Sequence, residues 1–138
     1  MLERAISIAL DVHRGQTDRN GRPYILHPLH IMLQMDDEAE MIAAVLHDTI
    51  EDSEMTLEEL REEGFSGEVL TAVELLTHDK ESTPYEDYVR RLKPNPMARK
   101  IKMADLKHNM DIRRMDRVQE SDLARLQKYH RAWRILTE

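Results

Sequence analysis

Residues 41–52 constrain this chain more than any other stretch. Six apolar residues, Met41-Ile42-Ala43-Ala44-Val45-Leu46, run directly into His47-Asp48-Thr49-Ile50-Glu51-Asp52. The first half belongs in a core. The second half carries an imidazole and three carboxylates at the edge of that core. Buried charges are costly unless they are paired or bind a metal, so the fold must bring partners to this segment. The spacing predicts a helix that continues into the ionisable residues. His47 and Glu51, and Asp48 and Asp52, are then four apart and share a side. His47 and Asp48 point about 100° apart on such a helix. Both approach one ion only near the helix end or beside ligands from elsewhere. Two protein ligands would leave a hard divalent cation under-coordinated. Two further donors stand out: His27, ahead of Pro28, and Asp105, in Ile101-Lys102-Met103-Ala104-Asp105 on the face of Ile101. Singly, each has a plain alternative. The acidic run would serve as a solvated helix end, His27 as a backbone-bonded turn histidine, and Asp105 as an exposed or capping residue.

The rest of the chain reads as helices. Aromatics are only 4% of residues, so Leu, Ile, Val, Ala and the nine Met must fill the core, a composition that favours helices. Helical spacing covers residues 2–13. A polar loop spans Gly15 to Gly21, and a helix starts at Pro28 and carries Leu29, Ile31, Met32 and Met35. Asp36-Asp37 opens the helix of the featured segment. Thr56-Leu57-Glu58-Glu59 is a capping box. Gly64 and Gly67 bracket a turn before a helix carrying Val69, Ala72, Val73, Leu75 and Leu76. Thr83-Pro84-Tyr85-Glu86 reads as a second capping box. Asn95-Pro96 starts a helix with Met97, Ile101 and Ala104 on one face. A last helix from about Ser121 uses Leu123, Leu126, Tyr129, Trp133 and Leu136. No strand, repeat or linker is evident. The expectation is an all-α, compact bundle forming a single domain over residues 1–138, a length sufficient for its own core.

The formal net charge of −7 argues against a nucleic-acid binder or an anionic-membrane binder. With no cysteine, any metal must be held by imidazole nitrogen and carboxylate oxygen. Neither a leader-like apolar run nor a segment of membrane-spanning length is present, so a cytoplasmic protein is expected. The amphipathic last helix can dock on its own core or on another copy, which leaves homo-oligomer formation open.

Taken in order, several segments resemble the HD-domain superfamily of metal-dependent phosphohydrolases, and more closely the hydrolase domain of RelA/SpoT-type alarmone enzymes and their stand-alone small homologues. These segments are His13-Arg14-Gly15-Gln16, Gly21-Arg22-Pro23-Tyr24-Ile25-Leu26-His27-Pro28-Leu29, Ala43 to Asp52, Thr56-Leu57-Glu58-Glu59-Leu60, Val73-Glu74-Leu75-Leu76-Thr77 and Ile101 to Met110. The resemblance implies an all-helical fold with one Mn²⁺-type ion, held by His27, His47, Asp48 and Asp105. Glu51 and Asp52 match the pair that orients or deprotonates the attacking water, and Asn109 matches a residue lining the nucleotide site. The implied reaction is hydrolytic loss of the 3′-pyrophosphate from guanosine tetra- or pentaphosphate, a small-molecule nucleotide substrate. Arg19 and Lys102 are further candidates for binding its phosphates.

The sequence departs from the family pattern where that pattern reads the base. A basic pair usually precedes the Gly-x-Pro-Tyr segment; here the two positions are Asp18 and Arg19. An acidic side chain cannot make a cation–π or stacking contact with guanine. The usual Arg-Thr-Leu after His-Asn-Met is replaced by Asp111-Ile112-Arg113, and Ala-Asp-Arg-Leu-His-Asn has become Ala104-Asp105-Leu106-Lys107-His108-Asn109. The metal and water machinery is retained while base recognition is altered. Two alternatives therefore stand beside the alarmone reading: a phosphatase acting on another nucleotide or phosphomonoester, and a nucleotide-sensing module without turnover.

Overall fold

Helix starts in this chain are set by local side-chain chemistry. In a computed structural model describing residues 1–138, Asp37 accepts a bond from the Glu40 amide and opens α3 (Glu38–Leu46), and Ser66 does the same for α5 (Gly67–Leu76). Thr56 and Glu59 form the expected capping box at α4 (Leu57–Glu62). Asn95 caps α7 (Pro96–Asn109), with Pro96 at the first helical position. The other helices are α1 (Leu2–His13), α2 (Leu26–Leu33), α6 (Tyr85–Leu92) and α8 (Leu123–Thr137). The all-α expectation holds: there is no strand, only an isolated bridge between Thr17 and Pro23.

α3 is the central element. Ile42 to Leu46 are all buried, and the helix packs against α1, α2, α5 and α7. An apolar run that is hydrophobic on every side requires such a position. Each of the eight helices contributes to one contiguous cluster of buried apolar residues, with Met32 and Met35 among them. No helix is long and apolar enough to cross a membrane.

Three local expectations are corrected. The helix carrying the featured segment ends at Leu46, and residues 47–54 form turns and bends. Side chains end it: His47 Nδ1 bonds the Ala44 carbonyl at 2.7 Å and Thr49 Oγ1 donates to the Leu46 carbonyl at 2.9 Å. Such local bonds compete with the backbone ladder. The second capping box does not form, because Pro84 itself takes the N-cap position and shifts the first turn one residue past Thr83. Leu123, assigned to the packing face of the last helix, is 54% exposed, while Ala132 and Leu136 carry the burial.

Candidate metal centre

The turn after α3 aims His47 and Asp48 into a space bounded by α2 and α7. His27 enters from the first turn of α2 and Asp105 from the third turn of α7. His27, His47 and Asp48 present ligand atoms that all lie within 4.8 Å of one another. Asp105 Oδ1 is 2.8 Å from His27 Nε2 and 3.7 Å from His47 Nε2. All four residues are buried, Asp48 the least at 7% exposure. Ending the helix at Leu46 removes the angular conflict between His47 and Asp48, whose Nε2 and Oδ2 lie 3.7 Å apart.

Surrounding side chains orient these groups. His47 Nδ1 donates to the Ala44 carbonyl at 2.7 Å, which turns Nε2 inward. His27 Nδ1 lies 2.7 Å from His108 Nδ1. Burial, then the neighbouring His27 and Arg114, push the His108 pKa down to about 3, so its ring stays neutral beside His27. Tyr24 donates its hydroxyl to Asp48 Oδ2. His13, on α1, places Nε2 3.2 Å from Asp48 Oδ1, and its Nδ1 bonds Gln16 at 2.8 Å.

The electrostatics of the cluster are set by buried, mutually opposed charges. Burial alone would raise the Asp48 and Asp105 pKa values, but His47 and His13 beside Asp48, and Lys102 and His27 beside Asp105, hold both below the usual carboxylate range. Burial works against a charge on His47, yet Asp48 and Asp105 push its pKa up to about 9. Asp48 Oδ1 and His13 Nε2 face each other at 3.2 Å, buried and without a well-aligned hydrogen bond on either atom, a pairing that leaves polar capacity costly to keep unmet. Two imidazole nitrogens and two carboxylates, deprotonated or readily so, suit a borderline-to-hard divalent ion.

The remaining candidates separate. Asp52, pushed up to about 6 by burial and then by Asp48, lies with His13 and Asp48 in a second close group. Glu51 accepts from the His78 amide. Asn109 donates to Asp105 Oδ1 at 3.1 Å and lines a cleft of about 710 Å³. Arg19 lines its outer wall. Lys102 is not on that wall: its ammonium is buried 3.0 Å from Asp105 Oδ2, near the rings of Tyr85 and Tyr88. Asp18 does not project freely either. Its Oδ1 accepts from the amides of Asn20 and Arg22 at 2.8 and 3.0 Å, tying up the loop. Sequence reasoning missed Tyr24 and Gln16 as supports, although both sit in segments it singled out. It also missed Arg114, Arg125 and Tyr129 on the cleft wall; the only signal for the last two was their spacing of four on one helix.

Fold and centre define an all-helical domain with a buried His/Asp cluster that could hold a cation, and the chain belongs to the HD-domain family, whose model matches residues 5–128. The family implies a divalent metal. The chain is 36% identical over 121 residues to a GTP pyrophosphokinase of Streptomyces coelicolor, covering 79% of this chain and 14% of that protein. It is 40% identical over 117 residues to a guanosine-3′,5′-bis(diphosphate) 3′-pyrophosphohydrolase of Haemophilus influenzae, covering 75% and 17%. A shorter relative of that same description from Danio rerio is 33% identical over 122 residues, covering 80% of this chain and 67% of that one. The chain thus spans less than a fifth of the long bacterial relatives. A solved metazoan orthologue of SpoT superposes with a TM-score of 0.74 over 98% of this chain and 82% of the other, at 24% identity, and shows the same fold.

Proposed function

We propose that this protein is a metal-dependent phosphohydrolase that removes the 3′-pyrophosphate of guanosine 3′,5′-bis(diphosphate). The observation that carries the reading is the convergence of His27, His47, Asp48 and Asp105 on one buried space beside a cleft lined by Arg19, Arg114 and Arg125. Relatives described as guanosine-3′,5′-bis(diphosphate) 3′-pyrophosphohydrolases support the substrate. In this reading those four residues hold one Mn²⁺. A cation there lowers the pKa of a bound water and takes up charge developing on phosphate oxygens.

The chain's own groups do the rest. Asp52 carries a pKa of about 6, so near neutral pH its carboxylate is ionised and still basic enough to take a proton from the attacking water. Glu51, anchored by the His78 amide, orients that water and fixes the loop beyond α5. Asn109 holds Asp105 in place and reaches the nucleotide. Arg19, Arg114 and Arg125 face the polyphosphate, and Tyr129 offers a ring to the base. With Asp18 engaged in its own loop, stacking on the base passes to other groups. That change is the specific ground for a second reading, in which the same machinery serves another phosphorylated nucleotide.

The two readings part in a substrate panel. Mn²⁺-loaded protein is incubated with guanosine tetraphosphate, a phosphorylated dinucleotide and simple mononucleotides, with and without chelator. Chelator-sensitive release of pyrophosphate from guanosine tetraphosphate is expected. Orthophosphate from the other compounds, with guanosine tetraphosphate untouched, selects the second reading. Glu51→Ala should keep one metal per chain and lose turnover; wild-type turnover in that variant removes Glu51 from the reaction.

A further inference from the structure

α1 brings a second group of donors to Asp48. His13 closes α1, and its Nε2 lies 3.2 Å from Asp48 Oδ1. The other oxygen of that carboxylate, Oδ2, lies 3.7 Å from His47 Nε2 in the four-residue centre. Asp52, in the turn after α3, completes the second group: one ligand atom from each of His13, Asp48 and Asp52 lies within 4.8 Å of the other two. Hydrogen bonds fix the state of the His13 ring. Gln16 directs its Nε2 to the carbonyls of Val12 and Asp52, at 3.3 and 3.2 Å, so its Oε1 faces His13 Nδ1 at 2.8 Å. An amide oxygen only accepts, so Nδ1 donates and the neutral ring presents a bare lone pair at Nε2. Two acceptors, that lone pair and a carboxylate oxygen, therefore face each other in a buried place, with His13 1% exposed and Asp48 7%. A proton on Nε2 does not resolve the contact, because neither atom has an aligned hydrogen-bond partner. A cation between them does. Donors about 2.1 Å from one octahedral ion, at a right angle, stand about 3.0 Å apart and each off the other's axis. The contact of Nε2 with Oδ1 matches that geometry.

We propose that His13, Asp48 and Asp52 form a second divalent-cation site, joined to the first through the two oxygens of Asp48, that fills in excess cation and inhibits. Its donors, one imidazole nitrogen and two carboxylates, suit the same borderline-to-hard ions. Gln16 is the outer partner that a metal-bound histidine needs: it accepts the Nδ1 proton and ties the ring to the turn of Asp52. Three protein donors against four, with Asp52 exposed to solvent, make this the weaker site. The inhibition rests on the hydrolase reading above, because a cation on Asp52 engages the carboxylate that would take the proton from water.

Titration with Mn²⁺ tests the site without reference to turnover, with free ion read by electron paramagnetic resonance in solution and bound ion in frozen samples. Wild type should bind a tight ion and then a weaker one, and the frozen-sample spectrum should show exchange coupling as the second fills. Asp52→Asn, a change at an exposed residue, should bind the tight ion only. His13→Gln should do the same, and the retained ion reports in each variant that the fold is intact. Turnover of guanosine tetraphosphate by wild type should rise with the first ion and fall with the second. A single ion in wild type, a second ion without coupling, or a second ion that persists in either variant overturns the site. Loss of both ions together from Asp52→Asn also overturns it. Turnover that holds while the second ion fills overturns the inhibition. The two readings fail separately. A coupled second ion in a protein that leaves guanosine tetraphosphate intact keeps the site and removes the substrate assignment. Hydrolysis by a protein that binds one ion does the reverse.

Discussion

Asp52 shows how a carboxylate proposed as a general base loads the fold that carries it. Its pKa is raised from 3.8 to about 6, first by burial and then by Asp48. A carboxyl raised on folding binds its proton more tightly in the native state than in the unfolded chain. The native state therefore holds more protons between these two values, and stability falls as pH rises through that window. The sign is opposite to that of a salt-bridged carboxylate. Asp52 keeps solvent access, so screening reduces the cost to about 1 kcal/mol. Asp52→Asn in the metal-free protein should be more stable than wild type by that amount above about pH 6 and equal to it near pH 3.5, by urea unfolding at both pH values. The same variant should lose at least about 100-fold in turnover, the low end for a general base. Equal stability at pH 8 would mean that the carboxylate is not under strain from Asp48.

At the scale of elements, α7 joins the core to the candidate metal centre. Its start rests on Asn95, whose Oδ1 accepts from the Ala98 amide at 2.9 Å. Its third turn bears Asp105, with Asn109 one turn further. Asn95→Ala should cost about 1 kcal/mol, the usual loss for an N-cap, seen as a lower urea midpoint at unchanged slope. Fraying of the first turn stops well short of Asp105, so Mn²⁺ affinity should stay at the wild-type value. A parallel loss of affinity would show that the centre depends on the whole length of α7. The cap at Asn95 was legible in the sequence because its cause is local. The end of α3 was not. Apolar periodicity ran through Leu46 into Ile50, and only the bonds from His47 and Thr49 back to the helix's last carbonyls end it there.

At the scale of the molecule, eight helices around one core bring together groups far apart in the chain, as in the contact of His27 with Asp105, 78 residues away. The helical class followed from spacing and from the scarcity of aromatics. The four candidate ligands were legible as a cluster because a buried histidine and carboxylates need one another, and the ordered family segments supplied the pairing; the structure buries all four. Only part of the cleft wall was legible: Arg19 and Asn109 were singled out, whereas Arg114, Arg125 and Tyr129 look like ordinary helix or loop surface until α8 folds back beside the loop of residues 14–25. Lys102 shows the converse, since a lysine in an apolar stretch reads as a phosphate ligand until its ammonium is placed on Asp105 Oδ2.

The central claim is that water attacks phosphorus at the His27–His47–Asp48–Asp105 centre and releases pyrophosphate. The direct measurement is hydrolysis of guanosine tetraphosphate by Mn²⁺-loaded protein in ¹⁸O-water, followed by mass analysis of both products. The account predicts one ¹⁸O atom in the pyrophosphate and none in the guanosine 5′-diphosphate. Label in the nucleoside, labelled orthophosphate in place of pyrophosphate, or no turnover with metal bound would contradict it.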